Sequence, residues 1–509
     1  MKQEKSVKNL VFGILSFIVT TLLGILIPRL FILSYGSEVN GLINSVKQIF
    51  AYFTLLEAGV GGAALQALYG PMAKQDKKEI SSIISATNSF FKKTGFVYLA
   101  GVIVLAIVYP LTIKSNIPSY VIICIILFQG EAGVVKYFVT SKLQLLLRVD
   151  GKNYILTNIA TIFSVLSNLA RVALLYMSAN VLWVQGIFCI VDICQVIIIV
   201  IYTKKHYGWL DLKAKPNFKA VSQKNDVLIH QLSSLIFNNT DILILTLFCG
   251  LKTVSVYSMY AMLFGMVSNV IGYISSSVSF AMGQLFNSNR EQYAKVQETY
   301  ETYYLAISFS LFTVAYIFIL PFLRLYTAGV TDINYIDKWL PILFVSYQIL
   351  NYGRNTSNNI IDFAGHYKQT KWRSVIESGI NLVVSLICVN KFGIYGVLIG
   401  TIVALLYRTN DIIIYANKII MKRSSIPTYI RWLRNIVLLI ICGFIGKQLP
   451  ENYSSYLQLI ITAAITTVIV FVLFIGVNTA LEKEAYHTAI KYFKVFIKSN
   501  TKSKKRKLG

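Results

Sequence analysis

Apolar segments of about twenty residues recur from Leu10 to Val477, each able to cross roughly 30 Å of hydrocarbon at about 1.5 Å per residue. That recurrence removes most folds from consideration, because a soluble chain of 509 residues would interrupt such runs with charge. Here 55% of the residues are hydrophobic and 14% charged, against about a quarter charged in soluble domains. The chain reads as an all-α integral membrane protein with about fourteen transmembrane helices. Spans are expected near 11–33, 39–69, 88–113, 118–141, 153–177, 181–202, 227–249, 254–286, 299–323, 337–361, 374–391, 394–416, 433–449 and 454–477. The polar stretch 72–89 reads as a turn and a short interfacial helix before the third span.

The formal net charge of +26 first suggests nucleic acid, but its distribution argues against that partner. One set of loops collects most of the lysines and arginines. It holds Lys2, Lys5 and Lys8, the 74–78 patch, Arg148, Lys152, the run from Lys204 to Lys224, the 418–434 linker and the C-terminal tail. The opposite loops hold Lys114, Lys252, Lys338, Lys391 and Lys447. By the positive-inside rule this asymmetry predicts a multi-pass cell-membrane protein with both termini cytoplasmic. The basic tail also predicts contact with anionic membrane lipids.

An internal repeat organises the spans. The small-residue segment LLEAGVGGAALQALY and the apolar run ending at Pro110 recur as GYISSSVSFAMGQLF and a run ending at Pro321. Gly36 recurs as Gly250 and Gly151 as Gly365, with the same separation in both pairs, and the two prolines depart from it only slightly. A near-constant offset over so long a stretch argues for two parallel halves of six spans. The expected domains are a six-helix lobe at 1–202, a cytoplasmic linker at 203–226 and a second six-helix lobe at 227–416. A linker and two additional helices follow at 417–477, then a basic cytoplasmic tail at 478–509. Glycines 59, 61 and 62 in the second span read chiefly as close helix packing, with a bend beside a passage as the alternative.

No catalytic signature is present. His206, His230, His366 and His487 are scattered, the six cysteines form no CxxC group, and no HExxH, GxSxG or Walker phosphate loop occurs. The expectation is a transporter rather than an enzyme, with no cofactor and no metal site. Charged groups inside spans are costly unless they face a polar cavity or pair. Lys136 and Arg354, then Arg29, are the candidates for binding an anionic, phosphate-bearing cargo, with salt pairing between helices as the plainer alternative. Glu57, Asn238, Asn239 and Asp241 are candidates for a cavity wall or for ion coupling, or for structural pairing; Arg29 and Lys47 are the partners considered for Glu57. Arg408 and Asp411, three apart, read as a pair on one helix face.

The stretch ILSYGSEVNGLINSVKQIFAYFTLLEAGVGGA, together with the later FNNTDILIL, resembles bacterial polysaccharide flippases of the multidrug/oligosaccharidyl-lipid/polysaccharide exporter superfamily. The resemblance implies two six-helix bundles around a V-shaped, alternately open cavity, with two added C-terminal helices. It implies transfer of an undecaprenyl-diphosphate-linked oligosaccharide from the inner to the outer leaflet, with spans 1, 2, 7 and 8 lining the passage. Arg29 and Glu57 would be polar positions of the first lobe and Asp241 of the second. A polysaccharide polymerase is a candidate partner, and function as a monomer is expected. The competing readings are a multidrug efflux transporter of the same superfamily and a membrane glycosyltransferase or polysaccharide polymerase. The latter would need a sizeable outside loop that this sequence lacks.

Overall fold

The computed structural model describes residues 2–57, 60–221 and 225–492, and the side chains of these except at 2–11, 13–18, 20, 220, 221 and 225–230. Gly59, part of the 203–226 linker, the side chain of His230 and the basic tail from 493 onward lie outside what is described. Every regular element among the described residues is helical. Among the described residues, eleven helices are long and apolar enough to cross a membrane.

Three of the expected spans show a break or a polar interruption. The first two expected spans meet at Gly36 (φ +80°, ψ 172°), a kink that separates two helices within the stretch α1 (Lys2–Phe53). Pro28 sits inside α1 without ending it. A 3₁₀ turn, Thr54–Glu57, then leads into α2 (Val60–Lys74). The seventh expected span is α8 (Asn225–Phe248), whose apolar run is interrupted by Asn238, Asn239 and Asp241. The tenth is broken at Arg354 into α11 (Leu340–Gly353) and α12 (Asn355–Phe363).

The remaining helices are α3 (Lys77–Thr112), α4 (Ser119–Val135), α5 (Ser141–Val149), α6 (Asn153–Tyr176), α7 (Val181–His206), α9 (Leu251–Ser288) and α10 (Arg290–Tyr326), then α13 (Tyr367–Phe392), α14 (Ile394–Ile414), α15 (Ile426–Gly446) and α16 (Tyr456–Leu481). The separate interfacial helix expected at 72–89 does not form. Asp76 caps α3 by accepting from the backbone N–H groups of Lys78 and Glu79 at 3.1 and 3.0 Å, and the helix then runs unbroken for 36 residues. At about 1.5 Å per residue that exceeds the hydrocarbon thickness, so one end of α3 projects into the polar zone.

Several elements of the two halves begin at matching places. Asp76 caps α3, and Asn289, at the matching place in the second half, caps α10 by accepting from Gln292 N–H at 2.9 Å. The short helices α5 and α12 start at Ser141 and Asn355, and α6 and α13 start at Asn153 and Tyr367. Both pairs keep the separation of Gly151 from Gly365. Gly36 and Gly250 share φ near +80°, and Gly151 and Gly365 share φ of +70° and +67°. L-side chains avoid that region, which is why glycine stands at all four turns.

Packing divides the chain into two compact units, Met1–Ser258 with Gly329–Ile333, and Met259–Ala328 with Asn334–Gly509. The first takes in α8 and the opening turns of α9. Its apolar core runs through Leu42, Val46, Ile125, Ile126 and Val184, with a second cluster around Ile84, Leu68, Phe91 and Leu146. Gly41 allows the close approach of α1 to the start of α9, since a Cβ there would lie 1.8 Å from the Leu251 carbonyl oxygen. Gly61 and Gly62 do not act this way. A Cβ at Gly62 would meet nothing within 4 Å, and at Gly61 only Glu57 Oε1 at 3.3 Å. The close-packing expectation for those two is therefore corrected.

In the second unit, α15 and α16 pack on α10. Arg431 Nη1 reaches the fully buried Glu301 at 3.2 Å, and its Nη2 reaches Glu482 at 2.8 Å; Arg434 Nη2 lies 2.5 Å from Glu482. Thr302 Oγ1 also donates to Glu482 at 2.8 Å. Burial pushes the Glu482 carboxyl up, but hydrogen bonds from Arg431 and Arg434 outweigh it and hold the group below its usual value.

Candidate functional site

In the first unit the chain departs from regular helix twice where charge enters the membrane region. The 3₁₀ turn Thr54–Glu57 presents Glu57, and α4 passes through a π turn, Lys136–Thr140, before α5. π turns inside helices frequently accompany functional positions. Lys136 Nζ donates to Glu57 Oε2 at 2.7 Å and lies 5.2 Å from the Tyr137 ring centroid. Their side chains are 40% and 25% exposed, so the pair is accessible from an open side.

On α8, Asp241 is buried and accepts from the Tyr257 hydroxyl of α9 at 3.0 Å. The adjacent Thr240 hydroxyl meets Tyr52 of α1 at 2.7 Å. Asn238 and Asn239 donate to the Ser234 and Leu235 carbonyls at 2.7 and 2.9 Å. These bonds satisfy part of each amide within α8 itself, which lets an apolar environment tolerate them. Arg29 is partly exposed on α1, ahead of the Gly36 bend.

In the second unit Arg354 is the break between α11 and α12. Its Nη1 donates to Glu377 Oε1 at 2.6 Å and its Nη2 to Asn351 Oδ1 at 3.1 Å. Glu377 Oε2 lies 3.4 Å from Arg408 Nε, and Arg408 Nη1 is 2.5 Å from Asp411 Oδ2. Asp411 Oδ1 in turn receives Arg373. The result is an alternating chain, Arg354–Glu377–Arg408–Asp411–Arg373, with three guanidinium groups against two carboxylates. Arg408, at its centre, is 5% exposed, while Arg373 at one end is 36% exposed.

Arg29, Lys136, Glu57, Asn238, Asn239 and Asp241 thus belong to the first unit and Arg354 to the second. The spacing reading of Arg408 with Asp411 holds, but the pair is joined to two residues the sequence reading passed over. Glu377 lies inside the expected span 374–391 and Arg373 just before it; their spacing of one helical turn was the available signal. Glu131 was also passed over. Its carboxylate oxygens are buried on α4, with Cys189 and Asp192 of α7 beside it.

No protein family and no curated protein matches the chain, but solved structures do. The lipid II flippase MurJ in an inward closed conformation matches with a TM-score of 0.65 at 15% identity, over 92% of this chain and 99% of that one. An inward-facing multidrug resistance MATE family transporter of the MOP superfamily matches with a TM-score of 0.58 at 13% identity, over 83% and 95%. The fold is that of the MOP-superfamily transporters. The MATE multidrug transporter DinF-BH shares it with a TM-score of 0.54 at 13% identity, over 83% and 96%. Within this MOP fold, the described residues contain no group of three or more His, Cys, Asp or Glu placed to hold a metal ion.

Proposed function

We propose that the chain is a flippase that carries an undecaprenyl-diphosphate-linked oligosaccharide from the inner to the outer leaflet for cell-surface polysaccharide assembly, by alternating access. The observation that carries this reading is the Arg354–Glu377–Arg408–Asp411–Arg373 chain, with its excess of positive charge in a region of long apolar helices. A diphosphate entering a low-dielectric passage needs cations that also donate hydrogen bonds, and a guanidinium fork supplies both. A cationic drug would be repelled by the same excess.

In this scheme Arg354 is the cargo contact of the second unit, and Arg29 and Lys136 are separate candidate contacts of the first. Glu57 tempers Lys136, so the head is held without being trapped. The sugar head follows the polar route while the polyprenyl tail stays against lipid through a lateral opening. No bond is made or broken. Both termini face the cytoplasm, where the precursor is assembled. The shared fold with a protein named as a lipid II flippase supports the reading.

Depletion tests it. In a cell without a redundant flippase, the lipid-linked oligosaccharide should accumulate on the inner leaflet. Normal leaflet distribution together with normal glycan assembly would remove the assignment.

A further inference from the structure

Each half places cations at the same bend; the first half pairs Lys136 with Glu57, but among the described residues it gives Lys142 no carboxylate. A span-forming helix breaks and restarts as a short helix in both: α5 after the π turn, and α12 after Arg354. Lys142 is the second residue of α5, and Arg354 immediately precedes α12. In the second half α13 brings Glu377 to Arg354 at 2.6 Å. By the separation that relates Gly151 to Gly365, the counterpart of Glu377 is Phe163, and its helix, α6, carries no Asp or Glu at any position.

Lys142 is held by neutral acceptors, Asn88 Oδ1 at 2.7 Å and the Phe138 carbonyl at 3.0 Å. Lys92 lies one turn beyond Asn88 on α3, on the helix face that meets Lys142. Among the described residues no carboxylate pairs with either lysine. Two cations held together in a partly desolvated place repel. An anion bridging them would replace that repulsion with charge-assisted hydrogen bonds. Lys92 also precedes the apolar run from Gly95 to Pro110, and phosphate headgroups are expected beyond the ends of such runs.

We infer that Lys92 and Lys142, with Asn88 behind them, form a receiving site for a lipid phosphate or diphosphate headgroup at the membrane boundary of the first unit. Occupied by the cargo's diphosphate, it is where the precursor docks before the passage, and that version rests on the proposed flippase function. Occupied by a bulk phospholipid, it is independent of that function.

The test uses the full-length protein in nanodiscs of zwitterionic lipid, titrated separately with undecaprenyl diphosphate and with phosphatidylglycerol. Lys92→Gln and Lys142→Gln should each weaken binding by about tenfold or more, and Lys142→Arg should retain it. Lys92 is exposed, so its replacement reads charge without disturbing packing. Lysine-dependent binding of the diphosphate supports both the site and the cargo. Lysine-dependent binding of phosphatidylglycerol alone keeps the site and removes the cargo version. Diphosphate binding that ignores both substitutions overturns the site and leaves the flippase reading in place. Binding of neither lipid by the unsubstituted protein overturns the site.

Discussion

Gly36 carries two constraints at once. Its φ of +80° lies in the left-handed region, and a Cβ there would come within 3.3 Å of Asp332 Oδ2. That carboxylate receives the Ser37 N–H at 2.8 Å and the Ser37 hydroxyl at 2.7 Å. Gly250 has nearly the same φ but nothing within 4 Å of its Cβ position. Gly36→Ala should therefore cost about 2 kcal/mol and Gly250→Ala about 1 kcal/mol, the second being backbone strain alone. Thermal unfolding in detergent would show it, and a Gly250→Ala loss equal to or larger than that of Gly36→Ala would contradict this ordering. Arg354→Ala probes function instead. Glu377 keeps Arg408 when Arg354 is removed, so the carboxylate is not stranded. Membrane abundance should persist while translocation falls; unchanged flux would take Arg354 off the cargo path.

Among helices, α15 and α16 have no counterpart in the first half and depend on the Glu301–Arg431–Glu482–Arg434 contacts with α10. Glu482 lies beyond the end of α16, and its carboxyl titrates below its unfolded value. A depressed carboxyl contributes stability above the unfolded pKa of about 4.3 and loses it as pH falls through the folded pKa. The docking of α16 should therefore loosen below about pH 4, seen as faster amide exchange in α15 and α16. Glu482→Gln should weaken the docking by about 2–4 kcal/mol at neutral pH and flatten that pH response. A wild-type pH response in the variant would assign it to another group. This latch was not legible in the sequence, because Glu301 and Glu482 lie far apart along the chain and only tertiary packing joins them to Arg431. The bends were legible, because Gly36, Gly250, Gly151 and Gly365 declare themselves by residue type and spacing. The 72–89 region was misread because its polarity suggested an end to the helix, whereas the Asp76 cap starts one that continues into the membrane segment.

At the scale of the whole molecule, the alternating-access cycle proposed above needs a bias. A cation gradient acting through a carboxylate is one such source. Asp241 suits the part: it is 5% exposed in the first unit and accepts a hydrogen bond from Tyr257 on the following helix. Protonation or cation binding there would change that contact, and with it the relative stability of the states that α8 and α9 help to form. Collapsing both proton and sodium gradients should therefore slow translocation in reconstituted vesicles. Asp241→Asn should transport at a reduced rate that no longer responds to either gradient, while Glu57→Gln, which leaves Lys136 accessible, should keep the gradient response and shift cargo affinity. Translocation that ignores the loss of both gradients would remove Asp241 from coupling, and the bias would then have to come from consumption of the cargo on the far leaflet.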